Sequence, residues 1–404
     1  MYIKRLFLKN IGPFKEAELQ FAWKATEDKQ PVTVITGVNG AGKSVIIDAI
    51  RAALSGQPLE RNIVADISNF KIEIDSCING ADVQLVSQEL MGGHIRSADY
   101  KRVAQYLQRG YQMGDDIQPW IIDYWSSRTA TDSFTIHAIT GIQHEEVLKD
   151  VMLDRKSNLQ LTNFICHVDY LRSSDVPEEK TTGTYLYEQI KHAINLCVDN
   201  GQFKYVRRTD LQPVIEQNGR EVTLDKLSSG NIFLIEHIVL LLCKMYSVTT
   251  LRNAPIAQLQ KTPGLLLIDE IETHLHPKWQ KAILSILRKM FPQMQIILTT
   301  HSPFIVSSLP GMRIYTCKPQ PGCSQVFDET DVYDNLPVDE VLMSDAFNVQ
   351  PFNERITQLQ QDRKKAIEAN ELGKAQDIAK ELSRINPEYF AYLDIEDKLK
   401  GLEQ

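Results

Sequence analysis

A short run rich in β-branched residues, Pro31-Val-Thr-Val-Ile-Thr36, leads into Gly37-Val-Asn39-Gly40-Ala41-Gly42-Lys43-Ser44. That stretch leads into the apolar run Val45-Ile-Ile-Asp-Ala-Ile-Arg-Ala-Ala-Leu54. The first run predicts a buried strand and the last a helix. The eight residues between them fit G-x-x-x-x-G-K-[ST], a phosphate-binding loop, and strand, loop, helix is the context that motif needs. Glycines let backbone N–H groups approach phosphate oxygens where a side chain would clash. Successive N–H groups at a helix N-terminus form an anion nest, and the helix dipole favours negative charge there. Asn39, Gly40, Ala41 and Gly42 are thus expected to cradle the phosphates of ATP. Lys43 is expected to reach the β- and γ-phosphates and Ser44 to ligate Mg²⁺.

The 404 residues suffice for two or three ordinary domains or for one large α/β domain with insertions. No run of consecutive apolar residues reaches the length of a membrane span. The opening Met-Tyr-Ile-Lys-Arg-Leu-Phe-Leu alternates like a strand and is unlike a signal peptide. Six cysteines are scattered without a C-x-x-C pair, which predicts free thiols in a reducing cytoplasm. The net charge of -8 means that any DNA or RNA contact must come from a local basic patch. Lys204, Arg207 and Arg208 are the densest basic spot, read first as a solvated strand edge.

Tyr2–Leu8 and Glu16–Phe21 alternate around the turn Asn10-Ile-Gly-Pro-Phe14, which predicts an antiparallel hairpin ahead of the phosphate loop. This start resembles SMC, RecF and OLD-type ATPases. Lys71–Asp75 and Asp82–Val86 read as strands around an Asn-Gly turn. A helix is expected over Ala98–Arg109 and a buried strand over Trp120–Trp125. Gln118 is a match for the glutamine-bearing loop of ABC-type ATPases, and Arg128 reads as a surface arginine that could approach phosphate. Residues 140–220 read as a mostly helical lobe. Its helices are expected at Glu145–Asp154 and Thr184–Cys197, followed by strands over Phe203–Arg208 and Leu211–Ile215 and a turn at Asn218-Gly219. No heptads run long enough for a coiled coil.

Three further motifs follow in order. Leu227-Ser228-Ser229-Gly230 opens the apolar helix Ile232–Cys243 and resembles the signature motif of ABC-type ATPases. The resemblance implies that Ser228, Ser229 and Gly230 bind the γ-phosphate held by a partner subunit, although Asn231 stands where Glu or Gln is frequent. Gly264-Leu-Leu-Leu-Ile-Asp269-Glu270 puts two carboxylates at the end of a strand apolar on both faces, where ligands bind in open α/β sheets. Asp269 is placed to hold Mg²⁺ and Glu270 to act as general base on the attacking water. The following Glu-Thr-His274-Leu-His276-Pro277 resembles the D-loop of OLD, RecF and Septu-type ATPases. Its histidines read as subunit contacts in preference to metal ligands. Met294–Thr299 ends in Thr-Thr-His301-Ser-Pro, and in those families this histidine contacts the γ-phosphate.

These motifs predict an α/β fold: an ABC-type P-loop head over residues 1–330, with an N-terminal antiparallel β lobe and a helical insertion at about 136–222. A C-terminal helical extension, 331–404, carries a hairpin of Phe352–Leu372 and Lys374–Ile385 turning at Gly373, a break at Asn386-Pro387 and a plausible docking role. No Toprim or HNH nuclease pattern follows the ATPase. The resemblance therefore points to the ATPase subunits of Septu and retron-associated anti-phage systems, and also to those of the PARIS type. It implies a homodimer or higher homo-oligomer around ATP that controls a separate HNH nuclease or toxin. The alternative is a RecF- or SMC-like DNA-repair ATPase. An ABC-transporter ATPase fits less well, because of the hairpin, the insertion and the His-Leu-His-Pro loop.

Overall fold

The structure, a computed structural model, describes residues 1–26, 29–56, 62–97, 117–126, 134–149, 151–152, 160–344, 347, 352–369 and 371–400. The chain divides into two units, Met1–Val341 and Leu342–Gln404.

The first unit opens with β1 (Tyr2–Ile11) and β2 (Phe14–Gln20), paired antiparallel so that Leu6 faces Leu19 and Ile11 faces Phe14. Strand β3 (Val32–Gly37) is buried throughout, and the helix Lys43–Ser55 follows the phosphate loop. Next come β4 (Lys71–Ile78) and β5 (Ala81–Met91), then β6 (His94–Ser97) and β7 (Ile121–Trp125). At the β4–β5 turn, Asn79 and Gly80 both have positive φ, 52° and 83°, the geometry that suits the twist of a two-residue hairpin. Strands β8 (Gly201–Arg207), β9 (Gln212–Gln217) and β10 (Arg220–Thr223) form a small antiparallel sheet. The unit then adds β11 (Gly264–Ile268), β12 (Met294–Thr299), β13 (Arg313–Gln320) and β14 (Cys323–Asp328).

Two larger sheets result, in the orders β2-β1-β4-β5-β6 and β14-β13-β3-β12-β11-β7. In the second, only the edge strand β14 is antiparallel. This is the expected α/β head with its antiparallel lobe. Strands β3, β11 and β12 bury every residue, so none alternates between an apolar and a solvated face.

Several local expectations change. In the lobe between β7 and the helix Ser229–Leu251, the two expected strands form as β8 and β9, and β10 and the helix Leu161–Arg172 are added to them. The helix Pro177–Cys197 starts well before Thr184 because Pro177 suits the first helical position and Glu178 and Glu179 complement the dipole. The helix expected at Glu145–Asp154 is only His144–Val147 among the described residues. The Met152 carbonyl accepts instead from Arg51 Nε, at 2.8 Å. Strand β6 and the β13–β14 hairpin had no counterpart in the sequence reading. The expected helix Ala98–Arg109 and Arg128 lie outside the described residues.

Gln118 cannot serve as the phosphate-side glutamine. It precedes β7, whose first residue Ile121 pairs with Gly264, so it lies at the opposite end of the parallel strands from Asp269. Its carbonyl accepts from Asn79 Nδ2 at 2.9 Å. The 23-residue helix Ser229–Leu251 is interrupted by Glu236, His237 and Lys244, so the reading that no consecutive apolar run reaches membrane-span length holds. By length and composition it is long and apolar enough to cross a membrane, and most of that stretch is buried inside the protein.

In the second unit, Glu354–Glu368 and Leu372–Ile385 form the hairpin, and Pro387–Lys400 follows. Gly373 lies in the first turn of the second helix rather than at the bend, where orphan backbone donors make a glycine least damaging. Ile356, Ala379, Leu382, Phe390 and Leu393 form this unit's own core.

One buried amide ties the two large sheets together. Gln295 on β12 is fully buried; its Oε1 accepts from Ile3 N at 2.8 Å, and its Nε2 donates to Ile3 O at 2.7 Å and to Ala22 O at 3.1 Å. Replacing Gln295 with Leu keeps the volume but strands one donor and two acceptors. Urea unfolding should show a loss of about 3 kcal/mol, since each unpaired buried group costs about 1–3 kcal/mol.

Candidate functional site

The phosphate loop is clamped from below by the N-terminal turn. Gly42 caps the helix Lys43–Ser55 with φ 100°. A Cβ there would lie 2.6 Å from Pro13 Cγ and 2.7 Å from the Phe14 ring. Only glycine combines that dihedral with that close approach. Lys43 is buried, and its Nζ donates to the Gly37 carbonyl at 2.9 Å and the Val38 carbonyl at 3.0 Å. Burial holds the Lys43 ammonium below its ordinary pKa, against the pull of Cys317 and of the carboxylates of Glu272, Glu270 and Asp269.

Asp269 and Glu270 leave the end of β11 beside the end of β12. Thr299 binds both: its hydroxyl donates to Asp269 Oδ1 at 2.6 Å and accepts from the Glu270 N–H at 2.8 Å. Glu270 has φ 52°, a left-handed conformation that costs a non-glycine residue roughly 1–3 kcal/mol and occurs where surrounding contacts enforce it. His301 is half-buried. Burial and the nearby Lys43 charge lower its pKa, with Asp269 opposing, so the imidazole is neutral at neutral pH. The structure therefore brings Lys43, Asp269, Glu270 and His301 into one electrostatic neighbourhood.

Ser228, Ser229 and Gly230 sit elsewhere, at the N-terminus of the helix Ser229–Leu251. Ser228 is the N-cap and accepts from Asn231 N at 3.3 Å. The Asn231 side chain returns to the Ser228 hydroxyl and donates to the Cys197 carbonyl. Asn231 Oδ1 accepts from the Ser228 hydroxyl, so it orients the capping side chain. Gly230 packs on the D-loop, where a Cβ would meet the His274 carbonyl at 2.8 Å. Ser228 and Ser229 are exposed. His276 caps the helix Pro277–Met290, its Nδ1 accepting from Lys278 N at 3.3 Å. Among the described residues no three of His, Cys, Asp and Glu gather as a metal site.

The Ser44 hydroxyl and the Asp269 carboxylate suit a small hard cation, and the Lys43 ammonium suits the polyphosphate beside it. The basic spot of the helical lobe is neutralised by acids. Lys204 pairs with Glu216 at 2.8 Å, Arg207 with Asp210 at 2.7 Å and Arg208 with Asp169 at 3.2 Å. Sequence reasoning overlooked Thr299, although a threonine pair ahead of His301 was a legible signal.

A family model described as an AAA domain matches residues 5–208. A second AAA-domain model, whose description adds a toxin of a type IV toxin–antitoxin system, matches residues 143–307. A Vibrio cholerae protein named "Retron Vc95 probable ATPase" is 23% identical over 392 residues, covering 77% of this chain and 73% of that one. The Septu protein PtuA of Bacillus thuringiensis is 25% identical over 326 residues, covering 76% of this chain and 74% of that one. The SMC head domain from Thermotoga maritima is 17% identical with a TM-score of 0.44, covering 81% of this chain and 99% of that one.

His237 lies beneath the site on the helix Ser229–Leu251, its ring 4.9 Å from that of Trp125. Burial pushes its pKa down from 6.5 to about 4. The unfolded chain then holds the extra proton across that window, so stability falls as pH drops from about 6.5 to about 4. Urea unfolding at several pH values should show this slope, and His237→Leu should flatten it by up to about one proton.

Proposed function

Because the chain belongs to the AAA-domain family, we propose that it binds and hydrolyses ATP as the ATPase subunit of a cytoplasmic anti-phage defence complex. In this reading two copies close around ATP, and the nucleotide state controls a separate nuclease or toxin. The observation that carries the chemistry is the convergence of Lys43, Asp269, Glu270 and His301 where the parallel strands end. The names of the retron and Septu relatives support the defence context.

The phosphate loop, Asn39 to Gly42, cradles the phosphates with its backbone N–H groups. Lys43 exchanges its two loop carbonyls for the β- and γ-phosphates. Ser44 and Asp269 hold Mg²⁺, which supplies charge neutralisation at the phosphate oxygens. Thr299 fixes the Asp269 carboxylate and the Glu270 backbone together. Glu270 polarises the attacking water as general base. The His301 imidazole donates an N–H hydrogen bond to a γ-phosphate oxygen. Exposed Ser228 and Ser229, at the start of a long helix beside Gly230, present donors to the nucleotide of a second copy.

The test uses the Glu270→Gln variant with ATP and Mg²⁺. It should keep ATP affinity and lose turnover by about a hundredfold to ten-thousandfold, the usual contribution of a general base. Pulled from its native host, it should carry a nuclease or toxin in a complex larger than one chain. A bare dimer that binds DNA with a steep salt dependence would overturn the defence reading. Lys43→Ala should weaken ATP binding at least about tenfold, read by isothermal titration, because a charged hydrogen-bond donor contributes about 1.5–3 kcal/mol.

A further inference from the structure

Glu272 lies two residues beyond Glu270 and has no part in the chemistry above. It is a mostly buried carboxylate in the D-loop, and both of its oxygens are engaged by the neighbouring loop. Oε2 accepts from the Thr300 hydroxyl at 2.7 Å, and Oε1 accepts from the backbone N–H of His301. Thr300 is itself held on both sides: its N–H donates to the Ile35 carbonyl at 3.0 Å, and its hydroxyl accepts from Ser302 N at 2.9 Å. Glu272 therefore binds the backbone that sets the height of the His301 ring, and through Thr300 it reaches the strand that feeds the phosphate loop.

We infer that Glu272 is a positioning residue that anchors the His301 loop to the D-loop, so that D-loop movement is transmitted to His301. Burial raises the Glu272 pKa while the bonds from Thr300 and His301 oppose this, consistent with a carboxylate kept for its two acceptors. A separate tether makes the anchor removable. Ser302 Oγ donates to Gln280 Oε1 at 2.6 Å, and Gln280 Nε2 donates to the Leu275 carbonyl at 2.8 Å. The loop thus stays attached when Glu272 is changed, and what is lost is the grip on His301. The kinetic part of the inference rests on the ATPase reading, while the anchoring part does not.

The experiment compares the full chain with Glu272→Ala, Glu272→Gln, His301→Ala and the double variant Glu272→Ala/His301→Ala. Hydrogen exchange is read over residues 299–304 without nucleotide, and ATP turnover is read with Mg²⁺. Glu272→Ala should speed exchange of the His301 amide at least about tenfold, the value of one hydrogen bond to a charged acceptor. Glu272→Gln keeps an oxygen for that N–H and should stay within about threefold of the wild type. In turnover, Glu272→Ala should lower kcat about tenfold or more at nearly constant KM, as expected when a catalytic group is misplaced. The double variant should be no slower than His301→Ala alone, because Glu272 acts through His301. Unchanged exchange in Glu272→Ala overturns the anchor. Faster exchange with additive losses in kcat overturns the positioning role. A wild type that binds ATP but does not turn it over overturns the ATPase reading alone, and exchange then decides the anchor.

Discussion

Ile268 pairs with both Leu298 and Trp125, and Thr299 pairs with Ile35, so β3, β7, β11 and β12 run out at one level. The three candidate site loops begin at that level. The glycine loop leaves β3, the two carboxylates leave β11 and the Thr-Thr-His turn leaves β12. Parallel strands share a direction, so their exits fall on the same side of the sheet, clear of the helices that cover its faces. A shift of one residue in any register would carry one exit about 3.3 Å out of line with the others.

The second sheet is braced against this level. Pro13 and Phe14 fill the space beside Gly42, and Gln295 supplies β1 with the hydrogen bonds of a missing strand. Tyr315 does the same from β13, its hydroxyl accepting from Gln20 N at 2.9 Å and donating to Gln20 O at 3.0 Å. Ordering at the phosphate loop is thus shared with an antiparallel lobe that carries none of the phosphate-loop or carboxylate motifs. A loop held on two sides has less conformational freedom to lose when it closes on an anion.

The carboxylate and histidine loops form a bonded cluster rather than a set of separate groups. Thr299 joins Asp269 to the Glu270 backbone, Glu272 joins Thr300 and His301, and Gly230 leans on the His274 carbonyl. The strained backbone at Glu270 and the left-handed His274, φ 68°, persist because this cluster holds them. The Ser-Ser-Gly turn is thus in contact with the loop that follows Asp269 and Glu270.

The phosphate loop, the paired carboxylates, the Ser-Ser-Gly turn and the Thr-Thr-His-Ser-Pro turn were all readable in the chain. Each is a contiguous run whose meaning depends on residue type and on the element before it. The α/β class was readable for the same reason, since apolar runs and glycine turns are local signals. Partnerships across the sheets were not readable. Gln118 sits beside a strand of the right kind but at its wrong end, and only the register with Gly264 shows this. Leu161–Arg172 hides as a helix because its buried face includes Thr162, Asn163 and Asp169, whose polar atoms are paired by remote residues. Thr299, Glu272, Gln280 and Gln295 read as ordinary polar residues until strands distant in the chain become neighbours. Local order was written in local chemistry, whereas the bonds that set the geometry of the site join residues far apart in the chain and exist only after the strands have paired.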